Sequence, residues 1–130
     1  LTAQDGKPLR SEALAGKVVL IDCWATWCSP CIAKMPKLKE WYELWHDRGF
    51  EIIGVNFDQS PAEAEKTIRK AGLSWPQVFV PAAGETRTRW WDCLGHRGLP
   101  TLLLVDRQGT LVASCSPENL ENEIRKLIEK

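Results

Sequence analysis

The sequence predicts an α/β fold in which helices cover both faces of a central mixed β-sheet. Three observations carry this prediction. Short apolar runs at residues 18–23 and 51–57 flank a long stretch of helical periodicity, as in a parallel strand pair joined by a crossover helix. Two later runs, 101–105 and 110–114, enclose Asp106-Arg107-Gln108-Gly109 and read as an antiparallel hairpin. Between the first strand and the first helix lies Asp22-Cys23-Trp24-Ala25-Thr26-Trp27-Cys28-Ser29-Pro30-Cys31, a sharp strand-to-helix turn carrying a C-x-x-C.

Each element has its own signal. Residues 1–17 contain the turn-like Asp5-Gly6-Lys7-Pro8 and read as an N-terminal hairpin or extended lead-in to one domain spanning 1–130. The run at 18–23 is continuously apolar except for Asp22, as expected of a strand covered on both faces. From Cys28 to Arg48 the residues Ile32, Met35, Leu38, Trp41, Tyr42, Leu44 and Trp45 recur at helical steps, Pro36 should kink the helix, and Gly49 ends it. Ser60-Pro61-Ala62-Glu63 combines an N-cap serine, a proline at the first helical position and a glutamate after the cap, opening a helix to about residue 70. Residues 73–80 read as extended, 81–84 as loop and 86–94 as a short helix with Trp90 and Trp91. Ser116-Pro117 opens a terminal helix with Leu120, Ile124, Leu127 and Ile128 on one face.

Composition narrows the function classes. At 130 residues the chain is one domain with room for a hydrophobic core. Lys+Arg and Asp+Glu balance at 17 each, which argues against a nucleic-acid footprint or a basic membrane-binding face. No apolar run is long enough to span a membrane, so direct membrane insertion of this stretch is not expected. The sequence opens at Leu1 with no signal peptide, and a leader or anchor preceding it is expected. Five cysteines is an odd number, so a monomer cannot pair them all.

The C-x-x-C is the chemical centre of the sequence. At a helix start, unpaired backbone N–H groups and the positive end of the helix dipole lie beside Cys28 and favour its thiolate, and Cys31 is one turn further in, within disulfide reach. The segment Val-Val-Leu-Ile-Asp-Cys-Trp-Ala-Thr-Trp-Cys-Ser-Pro-Cys resembles the active-site segment of the thioredoxin superfamily, and in particular that of the TlpA/ResA-like thiol–disulfide oxidoreductases. The likeness extends over residues 5–130 and includes Glu51-Ile52-Ile53-Gly54-Val55-Asn56, Leu73-Ser74-Trp75-Pro76, Gly98-Leu99-Pro100-Thr101 and Asp106-Arg107-Gln108-Gly109.

The resemblance implies a thioredoxin-like fold and a reaction. Cys28 would be the exposed attacking thiolate, with a lowered pKa, and Cys31 the buried thiol that resolves the mixed disulfide. Pro100 would be cis beside the cysteines, leaving the Leu99 backbone to pair with an extended partner. Trp24, Trp27, Pro30, Leu99 and Pro100 would form an apolar rim for a protein substrate. Asp22 aligns with a buried acid beneath the cysteine pair; with no cationic partner evident in the sequence, burial should raise its pKa and let it take the Cys31 proton. The resemblance also implies a tuning acid after the second strand, where this chain has Gln59 with Asp58 beside it.

The expected partners are protein dithiols or disulfides and an upstream redox protein, with no metal or organic cofactor and no nucleic acid, and the chain is expected to act as a monomer. Export to an extracytoplasmic compartment such as a periplasm is the expected location, with a cytoplasmic one left open. Two alternatives stand beside this reading: a redox-inert binding module on the same fold, and an iron–sulfur protein, because Cys23-x4-Cys28-x2-Cys31 with a distant Cys93 matches a plant-type cluster spacing. Against the cluster, Cys23 falls in a strand expected to be buried, where it acts as a small hydrophobe. A disulfide between Cys93 and Cys115 is a further option. His46 is expected on a solvated helix face, and His96 lies just before the Pro100 loop.

Overall fold

A computed structural model describes residues 14–93, 98–114 and 117–129. The elements are β1 (Val18–Trp24), α1 (Ser29–Ala33), α2 (Met35–Trp45), β2 (Phe50–Asn56), α3 (Pro61–Ala71), β3 (Gln77–Phe79), α4 (Glu85–Cys93), β4 (Thr101–Val105), β5 (Leu111–Ser114) and α5 (Pro117–Glu129), with a 3₁₀ turn at His46–Arg48. They build one five-stranded sheet in the order β3-β2-β1-β4-β5. β1, β2 and β3 run parallel, while β4 is antiparallel to β1 and to β5. This is the mixed sheet with helices on both faces that the apolar runs predict.

The two faces follow from strand alternation. Val18, Leu20 and Trp24 of β1 join Leu38, Trp41 and Trp45 of α2, Ile68 of α3 and Leu120, Ile124 and Ile128 of α5 in one core cluster. Val19 and Cys23 point the other way, into a second cluster with Ile53, Val55, Phe57 and Val78, against which Trp90 and Trp91 of α4 pack. Trp75 is buried with its ring edge-on to Tyr42 at 5.4 Å, and Trp91 lies 5.2 Å from Phe57, so these tryptophans are packing residues.

Several boundaries differ from the sequence expectation. The long helix is not kinked at Pro36 but broken before it. Pro36 has no N–H to donate to the Ile32 carbonyl. That carbonyl is instead taken by the N–H of Lys34 (φ −91°, ψ −5°), which closes α1 and caps α2. Leu44 is exposed rather than part of the buried stripe. Ser60 occupies the N-cap of α3 with Pro61 after it, but its side chain makes no cap hydrogen bond. Of the extended stretch 73–80, only Gln77–Phe79 pairs as a strand. His46 is about half exposed, as a solvated face requires. Of the 1–17 lead-in, only the final turn is described, with the Lys17 N–H donating to the Leu14 carbonyl at 3.1 Å. His96 and Cys115 lie outside the described residues, as does the Cys93 side chain, and the Cys93–Cys115 pairing with them.

One register row crosses the sheet at Asp22. Asp22 of β1 pairs in register with Gly54 of β2, and Gly54 with Gln77 of β3. The fully buried Gln77 side chain lies over Gly54, where a Cβ would collide with its amide, and its Oε1 accepts from Trp24 Nε1 at 3.0 Å. A glycine at residue 54 is therefore required by close approach. Gly54→Ala should destabilise the fold by about 1–3 kcal/mol through overpacking. Thermal or guanidinium denaturation measures this, and an unchanged midpoint would show that Gln77 has room to move aside.

Candidate redox site

The candidate site forms where β1 ends and the chain turns into α1. Cys28 is the N-cap of α1, with extended backbone angles (φ −98°, ψ 97°), and its Sγ accepts from the Cys31 N–H at 3.3 Å. Cys28 and Cys31 form a disulfide across a Cα separation of 5.3 Å, within the ordinary range for such bonds. Cys28 Sγ thus sits at the start of α1 with a backbone donor aimed at it. The two sulfurs are less unequal in exposure than expected. Cys28 is not openly exposed: it retains 5% of its surface and Cys31 none.

The turn that presents Cys28 is held from β2. The Thr26 N–H and hydroxyl both donate to the Asp58 carboxylate, the hydroxyl at 2.7 Å, and Asn56 Nδ2 donates to the same group at 2.8 Å. The Cys28 N–H then closes the turn on the Ala25 carbonyl at 3.1 Å. Asp58 thus anchors the loop before the cysteines, while its neighbour Gln59 is exposed.

The Pro100 loop lies alongside. Thr101 pairs in register with Cys23, which brings Pro100 to the end of β1 where the cysteine turn begins. The Leu99–Pro100 peptide is cis, and Gly98 before it has a positive φ of 75°. The Thr101 hydroxyl donates to the Gly98 carbonyl at 2.6 Å. Around the disulfide, Trp27 is 61% exposed, Pro30 and Pro100 are exposed, and Leu99 is partly buried. Trp24 is a correction to the expected rim. It is 0% exposed, because the last side chain of β1 turns into the core beneath the helix, so it cannot touch a partner.

Asp22 is 1% exposed and shares its face of β1 with Leu20 and Trp24, whose core cluster includes Cys28 and Cys31. The expectation that it has no cationic partner is wrong. Lys34, itself buried, places Nζ 3.3 Å from Asp22 Oδ1. A charged residue inside a helical stretch ordinarily reads as solvent-facing; the signal that could have revealed Lys34 is its place two residues before Pro36, where the helix must break. Burial is the larger influence and raises the Asp22 pKa above its ordinary 3.8, with Lys34 pulling it back down by less. The cluster spacing fails on geometry as well, since Cys23 points to the sheet face opposite Cys28 and Cys31.

The Thioredoxin-like family model matches residues 16–111, which is most of the chain and includes the whole site. The chain belongs to the thioredoxin-like family. Among similar proteins, this thioredoxin-like chain is 27% identical over 130 residues to the thiol-disulfide oxidoreductase ResA of Bacillus thuringiensis subsp. konkukian, covering 100% of the chain and 72% of that relative. It is 28% identical, with the same coverage, to ResA of Bacillus anthracis. Among solved structures, the thioredoxin domain of a thiol-disulfide oxidoreductase from Bacteroides vulgatus superposes with a TM-score of 0.87 at 28% identity, over 98% of this chain and 90% of that one. A thiol-disulfide oxidoreductase from Bacteroides fragilis superposes at 0.81 with 26% identity, over 98% and 94%.

In this thioredoxin-like fold Asp22 leaves a signature in stability. With its folded pKa above 3.8, the folded protein holds the Asp22 proton more tightly than the unfolded chain does. Its contribution therefore favours folding below the unfolded pKa and is lost as pH rises through the folded one. The stability of the oxidised protein minus that of Asp22→Asn should fall as pH rises across that window. Guanidinium denaturation at stepped pH measures it, and a pH-independent difference would contradict a raised pKa.

Proposed function

We propose that this chain is a thiol–disulfide oxidoreductase acting on protein thiols, with Cys28 and Cys31 as its redox pair. The observation that carries this is the disulfide at the start of α1, with Cys28 Sγ receiving the Cys31 N–H, in a chain of the thioredoxin-like family. In the reducing direction, the Cys28 thiolate attacks a partner disulfide, one partner sulfur leaves as thiolate, and a mixed disulfide forms. Cys31 gives its proton to Asp22, its sulfur attacks Cys28 Sγ, the second partner sulfur leaves, and the intramolecular disulfide closes. Two electrons pass from the dithiol to the partner, and the oxidising direction is the reverse.

Trp27, Pro30, Leu99 and Pro100 form the docking rim in this reading. Trp27, Pro30 and Pro100 expose apolar surface with Leu99 partly buried, which supports contact without strong side-chain selection. A monomer suffices for this chemistry because both cysteines come from one chain. An upstream redox protein returns the pair to its working state, and an extracytoplasmic location suits a protein that exchanges disulfides with others. Among the described residues no helix is long and apolar enough to cross a membrane.

Cys31→Ser should accumulate mixed disulfides at Cys28 when incubated with oxidised protein substrates, and Cys28→Ser should accumulate none. Both variants should lose insulin reduction by more than a hundredfold. Non-reducing electrophoresis with mass spectrometry of the adducts reads the result. Adducts forming equally through either cysteine would overturn the assignment of attacking and resolving roles, and wild-type protein that does not reduce insulin would favour a binding module instead.

A further inference from the structure

α2 and α3 lie side by side over the same core cluster, and between them runs an open groove of about 730 Å³. It is lined at one end by Thr26, two residues before Cys28, and by Ile32, directly after Cys31, so it opens off the redox turn. Met35, Pro36 and Ala71 give it an apolar bed. It lies on the β2 side of the turn, whereas the Pro100 loop enters β4 on the other side of β1. The volume is that of a small-molecule pocket, but small-molecule sites enclose most of their ligand. Here the α2 lip, Pro36, Glu40 and Glu43, is exposed. An open trough beside a reactive disulfide suits a polypeptide segment.

Charge decides what such a segment carries. The charged side chains lining the groove are Lys39, Glu40 and Glu43 from α2 and Lys70 from α3. Glu40 has its own cation, with Oε2 3.5 Å from Lys37 Nζ. Lys39 and Lys70, like Glu43, form no ion pair among the described residues, so two lysines stand against one uncommitted carboxylate. Lys39 reaches across to the end of α3, where its Nζ would lie 3.2 Å from a Cβ at Gly72. Positive charge therefore gathers at the end of the groove away from the cysteines. We propose that this groove is a second part of the docking surface, taking a substrate segment with an apolar side chain over Met35 and Ala71 and an acidic one between Lys39 and Lys70. The inference rests on the reading that Cys28 exchanges disulfides with proteins, and adds the feature by which one substrate is preferred to another. An acid at that end meets the two ammonium groups, and a base there meets repulsion. Eleven residues of helix at about 1.5 Å each separate Cys28 from Lys39, a span that about five extended residues cover. The acid should therefore lie about five residues from the substrate cysteine.

Synthetic peptides with one cysteine, held as its mixed disulfide with 5-thio-2-nitrobenzoate, test this against the reduced protein. The Cys28 thiolate attacks the peptide sulfur, and thionitrobenzoate leaves and is read by absorbance. Cys31 then attacks Cys28 Sγ, freeing the peptide thiol and closing the Cys28–Cys31 bond, so two electrons pass from the dithiol to the peptide disulfide. The peptides differ only at the third and fifth residues from the cysteine, placed before it or after it: leucine and aspartate, leucine and lysine, or glycine and aspartate. At low salt the leucine–aspartate peptide should react about fivefold faster than the leucine–lysine one, a gap that narrows in about 1 M salt. It should react about threefold faster than the glycine–aspartate one. Lys39→Glu combined with Lys70→Glu should invert the order of the two leucine peptides. Rates are compared within each variant, so a loss common to all peptides cancels. If the double variant does not fold, Lys70→Glu alone, on the exposed face of α3, should at least halve the fivefold preference. A preference unchanged by either variant overturns the groove proposal and leaves the exchange reading standing. A wild-type dimer in sedimentation that the double variant dissociates gives the groove to a second copy and also overturns it. A wild type that releases no thionitrobenzoate from any peptide overturns the exchange reading itself.

Discussion

A single missing backbone donor shapes this molecule. Pro36 cannot bond the Ile32 carbonyl, so the helix that starts at the cysteines ends after one turn and a second helix begins. The short α1 carries only the disulfide, while α2 turns Met35, Leu38, Trp41 and Trp45 onto the sheet as the main core stripe. Lys34, caught at the junction, has its side chain directed inward, where it meets Asp22. A continuous helix would merge three tasks that the break keeps apart: presenting the cysteines, sealing the core and holding a buried cation beneath them.

The cysteine turn is fixed from both sides by polar contacts of unlike kind. From just beyond β2, Asp58 takes the Thr26 N–H and hydroxyl and so fixes where Cys28 emerges. From below, Gln77 crosses the glycine at residue 54 to hold the Trp24 indole, so the strand end feeding the turn is locked by a buried hydrogen bond. Buried polar groups that are paired in this way specify one arrangement rather than many. The exposed surface beside the cysteines is the opposite in character: Trp27, Pro30 and Pro100, apolar and with few directional demands.

The order of elements and the C-x-x-C turn were legible because each has a strong local signal: apolar runs, helical spacing, and turn residues between the hairpin strands. What was not legible came from non-local contacts. A strand buried on both faces shows no alternation, so nothing in the string Cys23-Trp24 says which side chain faces the partner surface and which the core. A lysine inside a helical stretch ordinarily reads as solvent-facing, so the sequence shows no cation for Asp22. Asp58 and Gln77 owe their roles to residues more than thirty positions away in sequence. Pro36 alone predicts only a kink, because its effect on direction depends on how the following helix packs. Residues 73–80 read as extended, although only Gln77–Phe79 pair in the sheet.

The Cys28–Cys31 bond is a working redox couple and not a structural brace. Its reduction potential, measured by equilibrating the protein in glutathione buffers and quantifying the alkylated dithiol by mass spectrometry, tests this most directly. The account predicts a two-electron transition between about −120 and −270 mV, the span occupied by C-x-x-C oxidoreductases. A disulfide that stays closed until below about −300 mV, as structural bridges do, would contradict it.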